Sequence, residues 1–197
     1  MGRSSKEQAE ANRRKIVTAA GNLFRSNGYD AVGIADVMKA AGMTQGGFYK
    51  HFASKEALAA EAWAQGFQGA CAIWRRQDKA GSLAGAIVDY YFSPKPPELR
   101  CPMVAHGEDV ARMDEDCALR GVYAGGAKGL HDTFTDAAKG SIPEAQAELV
   151  FAAMIGANLL SRAAGDTSWI ASLKKSIKSA ASHNSPSAKR NASRRST

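Results

Sequence analysis

Residues 28–58, GYDAVGIADVMKAAGMTQGGFYKHFASKEAL, decide the fold. Ile34, Val37, Met38 and Ala41 recur at the i, i+3, i+4, i+7 spacing of one helical face, which predicts a short helix over 34–41. Gly42 follows, where a helix end needs the left-handed conformation that glycine adopts cheaply. Thr44 then offers a hydroxyl to cap a second short helix over 44–51. Two short helices joined by a tight turn read as a helix-turn-helix, and the second helix of such a motif is the kind that enters a DNA major groove. The size agrees: eight residues at about 1.5 Å each make a rod of about 12 Å, and the groove is about 12 Å wide. Phe48 and Phe52 are expected to point inward, which leaves Gln45, Gly46, Gly47, Tyr49, Lys50 and His51 near the outer surface. Two adjacent glycines in a helix cost roughly 1 kcal/mol each against alanine, so their expected use is a close approach of backbone to DNA.

These residues resemble the DNA-binding domain of the TetR family of bacterial transcription regulators. The resemblance is carried by Gly28-Tyr29, Ile34-Ala35-Asp36-Val37, Ala41-Gly42-Met43-Thr44, Gly46 to Phe52 and Ser54 to Leu58, with Arg13, Ile16, Ala19, Ala20, Leu23 and Phe24 matching the family's first helix. It covers about the first 60 residues. The sequence departs from the family at Val32 and Gly33, where Thr or Ser is usual; Gly33 can still start a helix but brings no hydroxyl to a phosphate. The resemblance implies an all-α chain of about nine helices. A three-helix DNA-binding domain would span 1–54 and a helical effector-binding and dimerisation domain 55–181. It also places Lys55 on a DNA phosphate, at a helix start that Ser54 can cap and where anions bind favourably. The expected DNA-contacting set is Gly33, Thr44, Gln45, Gly46, Gly47, Tyr49, Lys50, His51 and Lys55.

Charge supports this arrangement. The chain of 197 residues carries a net +7. Residues 1–60 hold nine basic and five acidic side chains, residues 61–170 ten and fourteen, and residues 171–197 seven and none. The helix-turn-helix end is basic and the middle acidic, which suits phosphate attraction at the first and argues against DNA at the second. Residues 2–12 read as a polar, flexible arm, either solvated or reaching DNA through Arg3 and Lys6. Residues 182–197, SHNSPSAKRNASRRST, read as a disordered basic tail. No run approaches the ~18 uninterrupted apolar residues of a membrane span, and the N-terminus has no apolar signal core. The expected location is the cytoplasm, with no membrane partner.

Beyond residue 54 the sequence reads as helices with clear punctuation. A long helix from Ser54 to about Gln77 carries Trp63, Phe67, Cys71 and Trp74 on one stripe, as core or as core and pocket wall together. In the family this helix relays ligand binding. Another helix, about 82–92, ends at the proline-rich segment Ser93 to Pro97, and Cys101-Pro102 opens the next. A helix over 114–138 is interrupted by Gly125, Gly126 and Gly129. After Pro143, LVFAAMIGANLL (149–160) has Asn158 as its lone polar residue. A helix apolar all round needs cover all round, and a twin chain supplies the second cover. The expected homodimer interface uses Ala153, Gly156, Ala157 and Leu160 with Trp169 and Leu173 of a last helix. Two copies would read a palindromic operator in double-stranded DNA.

A candidate pocket for a small apolar effector, of unknown identity, comprises Trp63, Phe67, Trp74, Tyr90, Tyr91, Met103, His106, Met113, Tyr123 and Phe134. For any one of these, an ordinary core position is the competing reading. Three cysteines, Cys71, Cys101 and Cys117, exclude a disulfide framework. They read as inert thiols, except that Cys101 precedes Pro102 at a helix start, where a thiolate is favoured. Some family members that sense electrophiles or oxidants carry a cysteine at this helix start, so Cys101, with Cys117 as partner, is the redox candidate. No nucleotide loop, zinc-protease motif or CxxC is present, no cofactor is expected, and no residues show metal-ligand spacing, although Cys101 with His106 stays open. The chain reads as a regulator, not an enzyme, most simply a repressor released by a small-molecule or thiol-reactive effector. An effector-independent architectural DNA-binding protein and a metal-responsive regulator are the alternatives.

Overall fold

A computed structural model of the chain describes residues 2–77 and 82–182, with side chains from residue 6 onward. The described residues form eight α-helices and two short 3-10 helices, with no strand. The helices are α1 (Gly2–Asn27), α2 (Ile34–Ala40), α3 (Lys55–Arg75), α4 (Leu83–Phe92), α5 (Pro102–Ala111), α6 (Ala118–Ala138), α7 (Glu144–Ala164) and α8 (Ser168–Ser182). The 3-10 helices are Gln45–Lys50 and Pro97–Leu99. With the first of these counted, nine helical elements build the expected all-α architecture.

Two expectations are corrected. The polar segment expected as a flexible arm over 2–12 continues α1 to Gly2. Its Glu, Gln, Ala, Lys and Arg residues are strong helix formers, so a helix with a folded C-terminal half extends through them. The side chain of Arg3 and the whole basic tail from residue 183 lie outside the described residues. The glycines of the sixth helix do not break it: α6 runs unbroken over Ala118–Ala138. The ring of Phe67 fills the space where a Gly126 side chain would stand, and the Cys71 sulfur lies 3.8 Å from the equivalent point at Gly129. Those glycines let α6 lie close against α3.

The described chain divides into two compact units. The first takes residues up to 76 and 93–133. Its core gathers Ile16, Val17, Ala20 and Phe24 of α1, Val37 and Met38 of α2, Phe48 and Phe52, and Leu58, Ala62 and Trp63 of α3, with Val110 and Leu119. The second takes residues 77–92 and those from 134 on. There α8 packs on α7 and α4, burying Ile87, Val88, Met154, Ile170 and Ile177. Gly85 lets α4 approach the end of α8: a side chain there would meet Ser182 Oγ at 2.9 Å. Lys178 pairs with Asp89 at 2.8 Å across the same helices.

Helix α7 is long and apolar enough, by length and a mean hydropathy of 1.3, to cross a membrane. Glu148 and Asn158 interrupt its apolar run, and a single such helix also describes a packing helix. One side, Ala147, Val150, Met154 and Ala157, is buried within its own unit. The other side is not covered. Leu149 is 72% exposed and Leu159 55%, and Trp169 of α8 is 52% exposed. Ala152 and Ala153 are exposed with them, and nothing lies within 4 Å of where a Gly156 side chain would stand.

Candidate nucleic-acid interface

The surface that faces outward at the helix-turn-helix is built from its glycines and anchors. Gly33 starts α2 in extended conformation, and its N–H donates to Asp36 Oδ2 at 2.9 Å. This is half of a capping box, with the acidic residue three positions on supplying the bond that Gly33 cannot return. Gly42 takes a φ of 73°, left-handed as the sequence requires, and closes the turn: its N–H reaches Lys39 O at 3.0 Å and the Met43 N–H reaches Met38 O at 2.8 Å.

The second helix differs from expectation. Residues Gln45–Lys50 form a 3-10 helix, and Thr44 makes no side-chain cap bond. The first bond of the turn runs from the Gly47 N–H to the Thr44 carbonyl, at 3.1 Å. Two adjacent glycines weaken α-helix propagation over six residues, and Phe48 and Phe52 fix the turn instead, their buried rings tilted at 30° with centres 5.8 Å apart. With the backbone carrying the cap, the Thr44 hydroxyl is left at the surface.

Outward from these anchors stand Thr44, Gln45, Gly46, Lys50 and Tyr49, the last 71% exposed, while Gly47 and His51 are half-buried. Gly46 has nothing within 4 Å of a would-be side chain, so no packing within the chain demands a glycine there. Arg13 of α1 fastens the end of the turn: it donates to the His51 carbonyl and to Glu61, and its guanidinium lies 4.1 Å above the Phe52 ring. Ser54 Oγ caps α3 by accepting the Ala57 N–H at 3.0 Å. Lys55, in the first turn, sets its ammonium 4.2 Å over the Tyr29 ring.

Residues 16–62 match the family described as "Bacterial regulatory proteins, tetR family". Those residues match the N-terminal segment of that family. The same part of the chain is 36% identical over 63 residues to the HTH-type transcriptional regulator AcrR of Shigella flexneri, covering 32% of this chain and 29% of that protein. The likeness thus spans less than a third of that relative's length. In fold the chain is similar over most of its length to Escherichia coli NemR in its reduced form, with a TM-score of 0.72, 21% identity, and 86% and 96% of the two chains covered. A TetR transcriptional regulator from Chloroflexus aurantiacus gives 0.70, 24%, 88% and 95%. The described residues therefore share the fold of these solved regulators over most of the chain, while the sequence match to the family is confined to residues 16–62.

Behind the TetR-family segment, α5 meets it directly. Asp109 Oδ2 accepts the Tyr29 N–H at 3.0 Å. Burial pushes the Asp109 carboxyl above its usual range, opposed by that hydrogen bond. Burial also raises the Tyr29 hydroxyl, helped by Glu56 and Cys117. Tyr29 packs edge-on to Trp63 at 6.1 Å, and Trp63 stacks on His106 at 4.4 Å and 17°. Both stacked rings are buried, and among the described residues Trp63 Nε1 and His106 Nδ1 have no hydrogen-bond partner. An unmet buried polar group costs about 1–3 kcal/mol. Burial, and then the Arg25 charge, lower His106 to about 3, so it is neutral. Sequence reading missed Asp36, Asp109 and Arg25. Only Asp36 carried a local signal, its spacing from Gly33.

Of the expected effector-contacting residues, Trp63, Phe67, Trp74, Met103 and His106 are buried in the first unit, and Met113 and Tyr123 are half-buried there. Tyr123 donates to the Met103 carbonyl at 2.9 Å and stands edge-on to Phe67 at 5.7 Å. Tyr90, Tyr91 and Phe134 belong to the second unit. Cys101 and Cys117 are half-buried free thiols. Cys117 Sγ lies 3.6 Å from Glu56 Oε1, beside Lys55. Lys95 and Tyr123 lie within electrostatic reach of Cys101. Among the described residues no group of three or more His, Cys, Asp or Glu stands together as a metal set. Of the expected dimer residues, Ala153, Leu160 and Trp169 are exposed, Gly156 and Leu173 half-buried, and Ala157 is turned into its own unit.

Proposed function

We propose that the protein is a cytoplasmic, homodimeric repressor that binds a palindromic operator and leaves it when an effector binds the region beyond residue 54. The observation that carries this reading is the outward face of Gln45–Lys50: exposed Gln45, Tyr49 and Lys50 around a Gly46 that the chain's own packing does not require. Gln45 at the start and Lys50 at the end of a groove helix suit adenine and guanine edges, and a side-chain-free backbone suits phosphate or base contact. Lys55 at the α3 N-terminus adds a phosphate anchor. Residues 1–54 would carry DNA binding, 55–181 effector binding and dimerisation, and 182–197 a basic tail.

The uncovered strip of Leu149, Ala153, Gly156, Leu160 and Trp169 is the proposed dimer face, and its small residues favour close approach of a second copy. Dimerisation brings two recognition elements to half-sites about one helical turn apart, about 34–36 Å. Sedimentation of Leu149→Glu should show monomers where the parent chain sediments as a dimer. Retardation and footprinting of DNA from the protein's own promoter test the central claim; no retarded complex at low salt sinks it. Effector release through Cys101 is a separable part of the proposal. Cys101→Ser should leave DNA bound when an electrophile or oxidant is added, and unchanged release removes that part alone.

A further inference from the structure

We propose that the junction of α1, α3 and α5 recognises a carboxylate, with Arg25, Trp63 Nε1 and His106 Nδ1 together holding the head group of a small monocarboxylate that has an apolar body. This names the effector class and rests on the effector-responsive reading above. Trp63 and His106 are buried and stacked on one another, and each presents a ring nitrogen without a partner among the described residues. The Arg25 guanidinium crosses α3 at Gly66, one turn beyond Trp63. A side chain at Gly66 would meet Arg25 Nη2 at 2.5 Å, so glycine keeps this passage open. From there Arg25 donates to the Glu98 carbonyl at 2.8 Å, and its charge acts on His106.

The donor inventory sets the ligand's chemistry. An indole N–H only donates, a guanidinium only donates, and a neutral imidazole donates from Nδ1 in one tautomer. A ligand atom at this junction must therefore accept hydrogen bonds. The imidazole is held uncharged, so the guanidinium is the positive charge these three groups supply. A singly charged carboxylate matches it, whereas a doubly charged phosphate would leave buried charge uncompensated. Phe24, Val110 and Leu119, which share the cluster of Trp63, suit an apolar body. A carboxylate would also offer Arg25 a charged acceptor in place of a neutral carbonyl, loosening the hold of Pro97–Leu99 on α1.

The test uses the full chain with benzoate and hexanoate as probes and methyl benzoate and inorganic phosphate as controls. Calorimetry should show saturable binding of the two carboxylates and none of the controls. Trp63→Phe and His106→Phe keep a stacked ring, and each should weaken benzoate binding roughly tenfold, the loss of about one hydrogen bond. A direct readout needs no variant: in the 15N–1H spectrum benzoate should move the indole N–H of Trp63 and leave those of Trp74 and Trp169 in place. No carboxylate binding, equal binding of the methyl ester, or unchanged affinity in both variants overturns the proposal. DNA retardation without any carboxylate separates the two readings. If the chain retards DNA but binds no carboxylate, this inference alone falls; if benzoate binds and DNA is never retarded, the regulator reading falls and the carboxylate site stands.

Discussion

Gly126 and Gly46 both sit in helical backbone of the same compact unit, and they are glycines for opposite reasons. At Gly126 the Phe67 ring occupies the side-chain position, so the interior dictates the residue. At Gly46 the space is open to 4 Å and the interior dictates nothing. A glycine that packing explains is part of the fold; one that packing leaves unexplained points to something outside the chain. The same contrast separates His106, whose state is set by burial, from Thr44, whose hydroxyl the fold does not use.

The contrast is broken most easily at Gly126. Gly126→Ala gains helix propensity but drives a methyl into the Phe67 ring, so a net loss of about 2–3 kcal/mol is expected in denaturant unfolding. An unchanged midpoint would mean the close approach of α6 to α3 is not required. Next comes pH. His106 takes up protons in the unfolded chain near its ordinary pKa of about 6.5, but in the folded chain only near 3. Between these values the unfolded chain binds more protons, so stability falls as pH drops below about 6.5, by about 2 kcal/mol at pH 5. His106→Phe should flatten that part of the stability curve.

Smaller effects sharpen the outer half of the comparison. Gly46→Ala should lower operator affinity about tenfold, about 1.4 kcal/mol, with no loss of thermal stability. A variant that binds normally would end the argument that DNA explains this glycine. The smallest pair concerns caps. Ser54→Ala removes a bond that the fold makes and should cost about 1 kcal/mol, while Thr44→Val removes none and should stay within about 0.5 kcal/mol by thermal melting.

What could be read beforehand follows the same line. The helix-turn-helix was legible because its signals are local: the 3-4 spacing of Ile34, Val37, Met38 and Ala41, the left-handed Gly42, the cap at Ser54. The continuity of α6 was not, because the partner that excuses Gly126 lies 59 positions away, at Phe67. The 3-10 form of Gln45–Lys50 was hidden as well, since the residues that favour an outward surface also weaken an α-helix. The stacked, partnerless pair of Trp63 and His106 had no sequence signal, because its meaning lies in what each nitrogen fails to touch.

Lys55 is held over the Tyr29 ring in the chain alone. Its side chain is therefore ordered during folding, not during recognition. With Lys55 on a phosphate, as proposed, less rotamer freedom remains to be lost when DNA arrives. The number of phosphates neutralised is the same whether or not the ring is there. Replacing Tyr29 by leucine should therefore shift the whole plot of affinity against salt downward and leave its slope unchanged, whereas replacing Lys55 should flatten the slope by about one counterion.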